Sequence, residues 1–192
     1  MNKHTITKFL QSVVAIPMLA VGLPAVGIPN IPTQAVTVSQ TSEVASSVIT
    51  TPEVQIRKKH AEAIDTFFKN HGSILEGYGD KFVDEAEEND IDYRLLVAIS
   101  GRETTFGENM CKNPKAPNNP FGYGSCRFGF KSIDQSIEKV SASLGGNNKN
   151  TARHYGGLNT KQILRKYNSV IPDYPQEVIR IMKSIDSTEE II

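Results

Sequence analysis

The sequence predicts a mostly α-helical domain that is interrupted by one long irregular loop. Three observations lead to this prediction. Apolar residues recur at helical spacing on both sides of residues 104–131, capping residues or glycines stand where these stretches begin and end, and residues 104–131 are themselves rich in proline and glycine. A loop of this length inside a compact domain usually carries function, so we expect the functional site beside it.

Three helices are predicted before the loop. The first covers residues 54–70 and stops at Gly72, and the second covers residues 75–88, where early glycines leave the start open. The third covers residues 93–103 and follows Asp92, whose side chain is of a type that caps helix N-termini. The apolar faces of these segments predict a core built by helix-on-helix packing.

Three more helices are predicted after the loop. Ser132 begins a capping box, and the helix that follows it ends at the Gly145-Gly146 pair. Asn159 caps the next helix, and the last one runs from Tyr174 to Ile185 with apolar residues on one face. Within the loop we expect a short β-hairpin at residues 123–130.

The first 52 residues have the composition of an export segment followed by a spacer. Residues 1–35 have lysines at positions 3 and 8, continue as a mostly apolar stretch and contain no acidic residue. This pattern is typical of secretory signals. Residues 36–52 include eight serines or threonines, which is typical of a flexible linker. We therefore expect a signal peptide at 1–35, with an uncleaved membrane anchor as the alternative, a linker at 36–52 and the folded domain at 53–192.

Composition narrows the compartment and the classes of partner. The 21 basic and 21 acidic residues give a formal net charge of zero, which argues against nucleic acid as a partner. Cys111 and Cys126 are the only cysteines, and outside the reducing cytosol we expect them to pair, with two unpaired thiols as the alternative. Because two cysteines without a nearby histidine pair are too few ligands for a metal, we expect no metal and no cofactor. The expected location is secreted or in the cell envelope.

One carboxylate, Glu103, stands at the end of an apolar helix. Residues 95–99 are all apolar, so their helix is predicted to be buried on most sides, and Gly107 ends the segment soon after Glu103. Apolar surroundings and the negative end of the helix dipole both disfavour a charged carboxylate. A carboxyl group that is kept protonated is what a general acid needs. The alternative is a surface ion pair with Arg102 or Lys131.

Two later segments carry the chemical groups that sugar-binding sites use. The segment 118–124 offers two asparagines and two aromatic rings on a glycine-rich backbone, and Tyr167-Asn168 is followed by Tyr174. Amides and backbone groups bind hydroxyls and acetamides, whereas aromatic rings pack against the apolar faces of sugar rings. The alternative is that both tyrosines are core-edge aromatics and that the asparagines form turns.

The order of these segments resembles the lysozyme-like superfamily, in particular the bacterial lytic transglycosylases and the related secreted N-acetylglucosaminidases. The resemblance is carried by Glu103-Thr104-Thr105-Phe106-Gly107, Asn119-Pro120-Phe121-Gly122-Tyr123, and Tyr167-Asn168 with Tyr174. It covers about residues 90–185. The chain lacks the Gly-Leu-Met-Gln-like segment that usually follows the glutamate in transglycosylases, and residues 121–124 are closer to the glucosaminidase form.

This resemblance implies a lysozyme-like helical domain that cleaves the β-1,4 glycosidic bonds of peptidoglycan. It implies Glu103 as the catalytic acid and base, Tyr167 as a second catalytic group that holds the acetamide or steadies developing charge, and substrate contacts from Thr104, Asn119, Phe121, Tyr123, Asn168 and Tyr174. The implied partner is the peptidoglycan glycan strand. We expect a monomer whose only membrane contact would be an uncleaved N-terminal segment. The alternative is a non-catalytic glycan-binding module on a degenerate scaffold of this kind, because no second carboxylate stands in a convincing motif.

Overall fold

The computed structural model describes residues 51–190, and its regular elements there are all helical. The α-helices are α1 Pro52–Asn70, α2 Gly79–Glu88, α3 Arg94–Thr104, α4 Ile133–Leu144, α5 Ala152–Tyr155, α6 Thr160–Tyr167 and α7 Tyr174–Glu189, and a short 3-10 segment lies at Tyr123–Cys126. The expectation of a mostly α-helical domain is thus confirmed over this range. The signal peptide predicted at 1–35 and nearly all of the linker predicted at 36–52 lie outside the described residues.

The β-hairpin expected at residues 123–130 is wrong. Gly124, Ser125 and Cys126 have φ values of 66°, 55° and 55°, which lie in the left-handed region, whereas a strand needs extended backbone. The loop turns tightly at this point instead of running as two strands. The predicted disulfide is present: Cys111 and Cys126 are bonded, with their Cα atoms 5.6 Å apart, and this bond closes the loop on itself.

Local sequence explains where several helices begin. The Ser132 hydroxyl accepts a hydrogen bond from the backbone N–H of Gln135 at 3.1 Å, and Asn159 begins α6 in a complete capping box. The N-cap of α3 is Tyr93 and not the predicted Asp92, since the helix begins one residue later than expected. The Asp92 carboxylate still accepts from the backbone N–H of Arg94, the first residue of α3, at 3.0 Å. Short-range side-chain chemistry therefore fixes these boundaries.

Two elements differ from the prediction. Helix α2 begins at Gly79 rather than at residue 75, because the turn before it is held by Asp65, whose Oδ1 accepts from the N–H groups of Gly77 (2.8 Å) and Gly79 (2.9 Å). A Cβ at Gly79 would lie 2.2 Å from the carbonyl oxygen of Ala61, so only glycine lets α2 start this close to α1. Helix α5 is a single turn that the sequence pattern does not indicate.

The core is centred on α3, as its apolar sequence predicts. Residues 95–99 are at most 2% exposed, and α3 packs on α7 while α1 packs on both α2 and α7. Burying each large apolar side chain contributes roughly 1.5–3 kcal/mol, so this central helix is held firmly. Its C-terminal end is thereby fixed between α7 and the long loop.

Candidate active site

Glu103 is the second-last residue of α3, at a helix end that the local sequence builds. Thr105 and Phe106 adopt left-handed φ values of 52° and 55°, and the N–H of Phe106 donates to the carbonyl oxygen of Ser100 at 3.1 Å. Phe106 thereby folds back over Gly101, where a Cβ would lie 2.3 Å from its ring. The helix stops abruptly for these reasons, which leaves Glu103 facing the loop.

The two carboxylate oxygens of Glu103 have different surroundings. Oε1 accepts a hydrogen bond from the Tyr174 hydroxyl at 2.7 Å. Oε2 lies toward the backbone of Gly122, where a Cβ would be only 2.9 Å from it. The neighbouring Arg102 donates from Nε to Glu177 Oε2 at 2.5 Å, and Glu103 makes no ion pair with any cation in the part of the chain that the structure describes. One oxygen is thus anchored and the other faces the space in front of the loop.

A cleft of about 590 Å³ opens in front of Glu103, a volume within the usual range of small-molecule sites. Its walls come from the loop around residues 122–128, from α5 and from the C-terminal end of α6. The lining residues are Glu103, Gly122, Tyr123, Gly124, Ser125, Phe128, Thr151, His154, Tyr155, Lys166, Tyr167 and Asn168. Glu103 is the one carboxylate among them.

Three tyrosine rings stand in series beside Glu103. The rings of Tyr174 and Tyr167 are stacked with centroids 6.2 Å apart, and Tyr123 lies 6.2 Å beyond Tyr167. The Tyr167 hydroxyl donates to the carbonyl oxygen of Phe121 at 2.6 Å. Burial, followed by the hydrogen bond to Glu103, raises the pKa of Tyr174 well above its usual range, and burial also raises the pKa of Tyr167. Both phenols therefore stay neutral at physiological pH.

Asn119, which the resemblance assigns to substrate binding, lies beneath the cleft surface. It is fully buried, and its Oδ1 accepts from the N–H of Tyr123 at 3.0 Å. Its Nδ2 donates to the carbonyl oxygens of Tyr123 at 2.9 Å and Phe128 at 3.1 Å. These three bonds hold the loop in its turn, so the amide has no group left to offer a ligand and acts as a support for the cleft wall.

Thr104 and Phe121 are also buried beneath the cleft, contrary to the implied substrate contacts. Thr104 Oγ1 donates to the carbonyl oxygen of Pro120 at 2.6 Å, and Phe121 packs edge-on against Phe82 with centroids 6.3 Å apart. Both side chains face the core because Thr104 still belongs to the buried side of α3 and Phe121 fills the space below the loop. They join the loop to the helical core and do not reach the cleft.

The other predicted residues are brought together by the fold. Four of them line the cleft, namely Glu103, Tyr123, Tyr167 and Asn168. Tyr174 does not line the cleft, but its hydroxyl donates a hydrogen bond to Glu103. The Asn168 side chain also accepts from the N–H groups of Val170 and Ile171, both at 3.1 Å, and so turns the chain after α6. Segments that are more than 60 positions apart in the sequence thus meet at one carboxylate.

The cleft wall formed by Thr151, His154 and Tyr155 is absent from the sequence-based prediction. Helix α5 is too short to give a periodic pattern in the sequence. Burial raises the pKa of the Tyr155 hydroxyl to about 12, so this side chain is neutral at physiological pH. Phe128 was also missed, although it is 46% exposed and its ring lies 5.8 Å from that of Tyr123. Its exposure is visible only in the structure, where a large exposed aromatic ring beside a polar loop marks a candidate binding residue.

The chain matches no known family profile and no curated protein sequence. Over residues 51–190, no helix has both the length and the apolar character that crossing a bilayer requires. In the same range, no three His, Cys, Asp or Glu side chains converge in a way that could hold a metal ion.

Proposed function

We propose that this chain is a peptidoglycan-cleaving glycosidase, of the lytic transglycosylase or N-acetylglucosaminidase type, with Glu103 as general acid and base. The observation that supports it best is the environment of this carboxylate. It stands in a sugar-sized cleft with Oε1 held by the Tyr174 hydroxyl and Oε2 directed to the loop that forms one wall. Geometry of this kind positions a proton donor against a bound glycan.

In the first step Glu103 protonates the glycosidic oxygen. Because the Tyr174 hydroxyl donates to Oε1, Oε2 is the oxygen that gives its proton to the substrate. The bond between the anomeric carbon and this oxygen breaks, the leaving sugar keeps the proton as a hydroxyl, and positive charge develops on the sugar ring. A positioned general acid contributes roughly 10²–10⁴-fold to the rate.

The second step uses a nucleophile from the substrate itself. Glycosidases usually pair the acid with a second carboxylate, and the cleft-lining residues that the structure describes include only Glu103. The C6 hydroxyl of the same sugar attacks the anomeric carbon, and the ionised Glu103 takes the hydroxyl proton, which forms a 1,6-anhydro ring and restores the acid. In the glucosaminidase variant the acetamide oxygen attacks first, and water completes hydrolysis.

Aromatic and polar groups in the cleft suit an N-acetylated sugar. Tyr123 and Phe128 form an edge-to-face pair at the loop, and the exposed Phe128 ring offers a surface for the apolar face of a sugar. The Tyr167 hydroxyl oxygen lies deeper, beside Glu103, where it accepts a hydrogen bond from the acetamide N–H while donating to Phe121. Asn168 lines the same wall.

The test compares Glu103→Gln with Glu108→Gln on purified cell-wall sacculi. Glu108 is an exposed carboxylate five residues away that does not line the cleft, so it is a matched control for the charge change. We expect Glu103→Gln to lower the rate of fragment release by about 10²–10⁴-fold and Glu108→Gln to leave it within about twofold. Mass spectrometry of the fragments distinguishes an anhydro end from a reducing end by the mass of one water.

If Glu103→Gln released fragments as fast as the wild type, the proposed mechanism would be wrong. A wild-type protein that binds sacculi but releases no fragments would instead favour the non-catalytic glycan-binding module, to which the single carboxylate also points. Zymography on cell walls separates these two outcomes, because a binding module leaves no clearing.

A further inference from the structure

A second depression lies between α6 and α7, next to the helix that forms one wall of the cleft. It has a volume of about 280 Å³ and is lined by Lys161, Gln176, Ile179, Arg180 and Lys183. We name it the basic groove. Three of its five lining side chains carry a positive charge, and none carries a negative charge.

The cations of the basic groove form no direct ion pair with any residue that the structure describes. Within residues 51–190, Lys161, Arg180 and Lys183 form no ion pair, whereas the arginines of the first three helices all do. Arg180 and Lys183 stand three positions apart on α7, so the two like charges are neighbours. Glu177 and Asp186 flank them at the same spacing, but these carboxylates pair with Arg102 and Arg94 instead. An anionic ligand would offset this repulsion, so the arrangement favours one.

The balanced net charge of the chain conceals a strong separation of charge. Residues 51–108 contain seven lysines or arginines and 13 acidic residues, whereas residues 109–172 contain ten and two. The second segment supplies the loop, α5 and α6, which are the elements that form most of the cleft wall. The cleft wall and Lys161 of the basic groove thus belong to one positively charged segment of the chain.

The basic groove and the cleft share helix α6. Lys166 lines the cleft and Lys161 lines the groove, and both belong to α6. Five residues of α-helix span about 7.5 Å along the axis. The same five residues turn by about 140°, so the two lysines lie on different faces of α6 and a branch from a glycan in the cleft must pass around the helix. A branch of four extended residues, about 13–14 Å long, is long enough to do so.

We propose that the basic groove binds the carboxylates of the peptide stems that branch from the glycan strand. This inference rests on the proposed function, because it takes the occupant of the cleft to be peptidoglycan. Lys161, Arg180 and Lys183 pair with the stem carboxylates, the Gln176 amide serves the peptide backbone, and Ile179 packs on an apolar stem side chain. A volume of about 280 Å³ accepts a short peptide segment.

The first test measures peptide binding without catalysis. The ¹⁵N-labelled protein is titrated with the tripeptide Ala-Glu-Glu and with its fully amidated counterpart, and amide shifts are followed by NMR. We expect shifts at Lys161, Arg180 and Lys183 with the acidic peptide only, and about tenfold weaker binding by R180Q/K183Q. The control K112Q/K115Q removes the same charge from exposed loop positions outside both depressions and should bind as the wild type does.

The second test uses turnover of two substrates that share a β-1,4 amino-sugar backbone. We expect R180Q/K183Q to raise KM on peptide-bearing glycan strands by about tenfold and to leave cleavage of neutral chitin oligosaccharides unchanged. Equal binding of the acidic and amidated peptides, or wild-type affinity in R180Q/K183Q, would overturn the proposal. So would groove shifts that appear with anionic phospholipid vesicles or an oligonucleotide but not with the peptide. If the groove binds the peptide while Glu103→Gln keeps full activity, the groove proposal stands and the catalytic one falls.

Discussion

The closest approach of the loop to the carboxylate is at Gly122, and Gly122→Ala is expected to disturb Glu103 directly. A Cβ at this position would lie 2.9 Å from Glu103 Oε2, which is tighter than ordinary van der Waals contact, and 3.4 Å from Glu103 Cβ, which is at its lower limit. The Glu103 side chain would have to move, and its 2.7 Å hydrogen bond from Tyr174 would lengthen or break. A displacement of about 1 Å at a catalytic group costs on the order of 10²-fold in rate.

The same substitution also strains the backbone, and that effect needs its own control. Gly122 has a φ of +60°, and an alanine in the left-handed region costs about 1–2 kcal/mol. Gly72 has a φ of +59°, and a Cβ placed there would meet no atom within 4 Å, so Gly72→Ala carries the same strain without the contact. Both variants should lower Tm by about 4–8 °C.

The assay is fragment release from sacculi, measured beside thermal unfolding for both alanine variants. We expect Gly72→Ala to keep its activity within about twofold and Gly122→Ala to lose on the order of 10²-fold at a similar Tm. Equal activity of the two variants would refute the reasoning, because it would mean that the position of Glu103 Oε2 does not matter for the reaction.

Three further predictions concern the support of the site. Replacing Cys111 and Cys126 by serine should lower the free energy of unfolding by about 3 kcal/mol, because the disulfide closes a loop of 15 residues, and an unchanged denaturant midpoint would contradict this. Asn119→Ala should cost about 2–4 kcal/mol and abolish activity through loss of the loop turn; Asn119→Asp should not rescue it, since a carboxylate cannot donate to the two carbonyl oxygens. Burial alone would raise the pKa of Asp92, but the hydrogen bonds and charge of Arg94 outweigh it and hold this pKa below its usual value. The interaction of Asp92 with Arg94 therefore stabilises the fold at neutral pH, and this stabilisation is lost as pH falls through the lowered pKa of Asp92. Arg94→Met should lower the free energy of unfolding by about 1–2 kcal/mol at pH 7 and by clearly less below about pH 4, as measured by urea unfolding.

Helix positions could be read from the sequence where local chemistry decides them. Ser132 and Asn159 cap their helices by bonds within a single turn, and the apolar run of α3 is buried as its composition predicts. The prediction of a β-hairpin was wrong because other contacts hold these residues in a tight turn. Gly124 and Ser125 are held in left-handed conformations by the disulfide and by the buried Asn119 amide, and neither constraint has a periodic signature.

For the candidate site, residue types predicted which segments come together but not which side chains face the cleft. The sequence indicated that Glu103, Tyr167 and Tyr174 belong together, but which side chain faces the cleft depends on long-range packing. Asn119 and Phe121 have the residue types of a sugar site, yet burial below the loop gives them a supporting role. The cleft wall formed by Thr151, His154 and Tyr155 was missed because it comes from the single turn of α5. The basic groove was missed because its cations belong to two helices, α6 and α7, and form a group only when these helices lie side by side.

The hydrogen bond between Tyr174 and Glu103 links the first residue of the final helix to the end of the third. During synthesis the chain must therefore have emerged as far as Tyr174 before this carboxylate can adopt its orientation. A polypeptide that ends before residue 174 lacks both the hydroxyl that holds Glu103 and the core side chains of α7. The orientation of Glu103 and the packing of the core therefore depend on the same late segment of the chain.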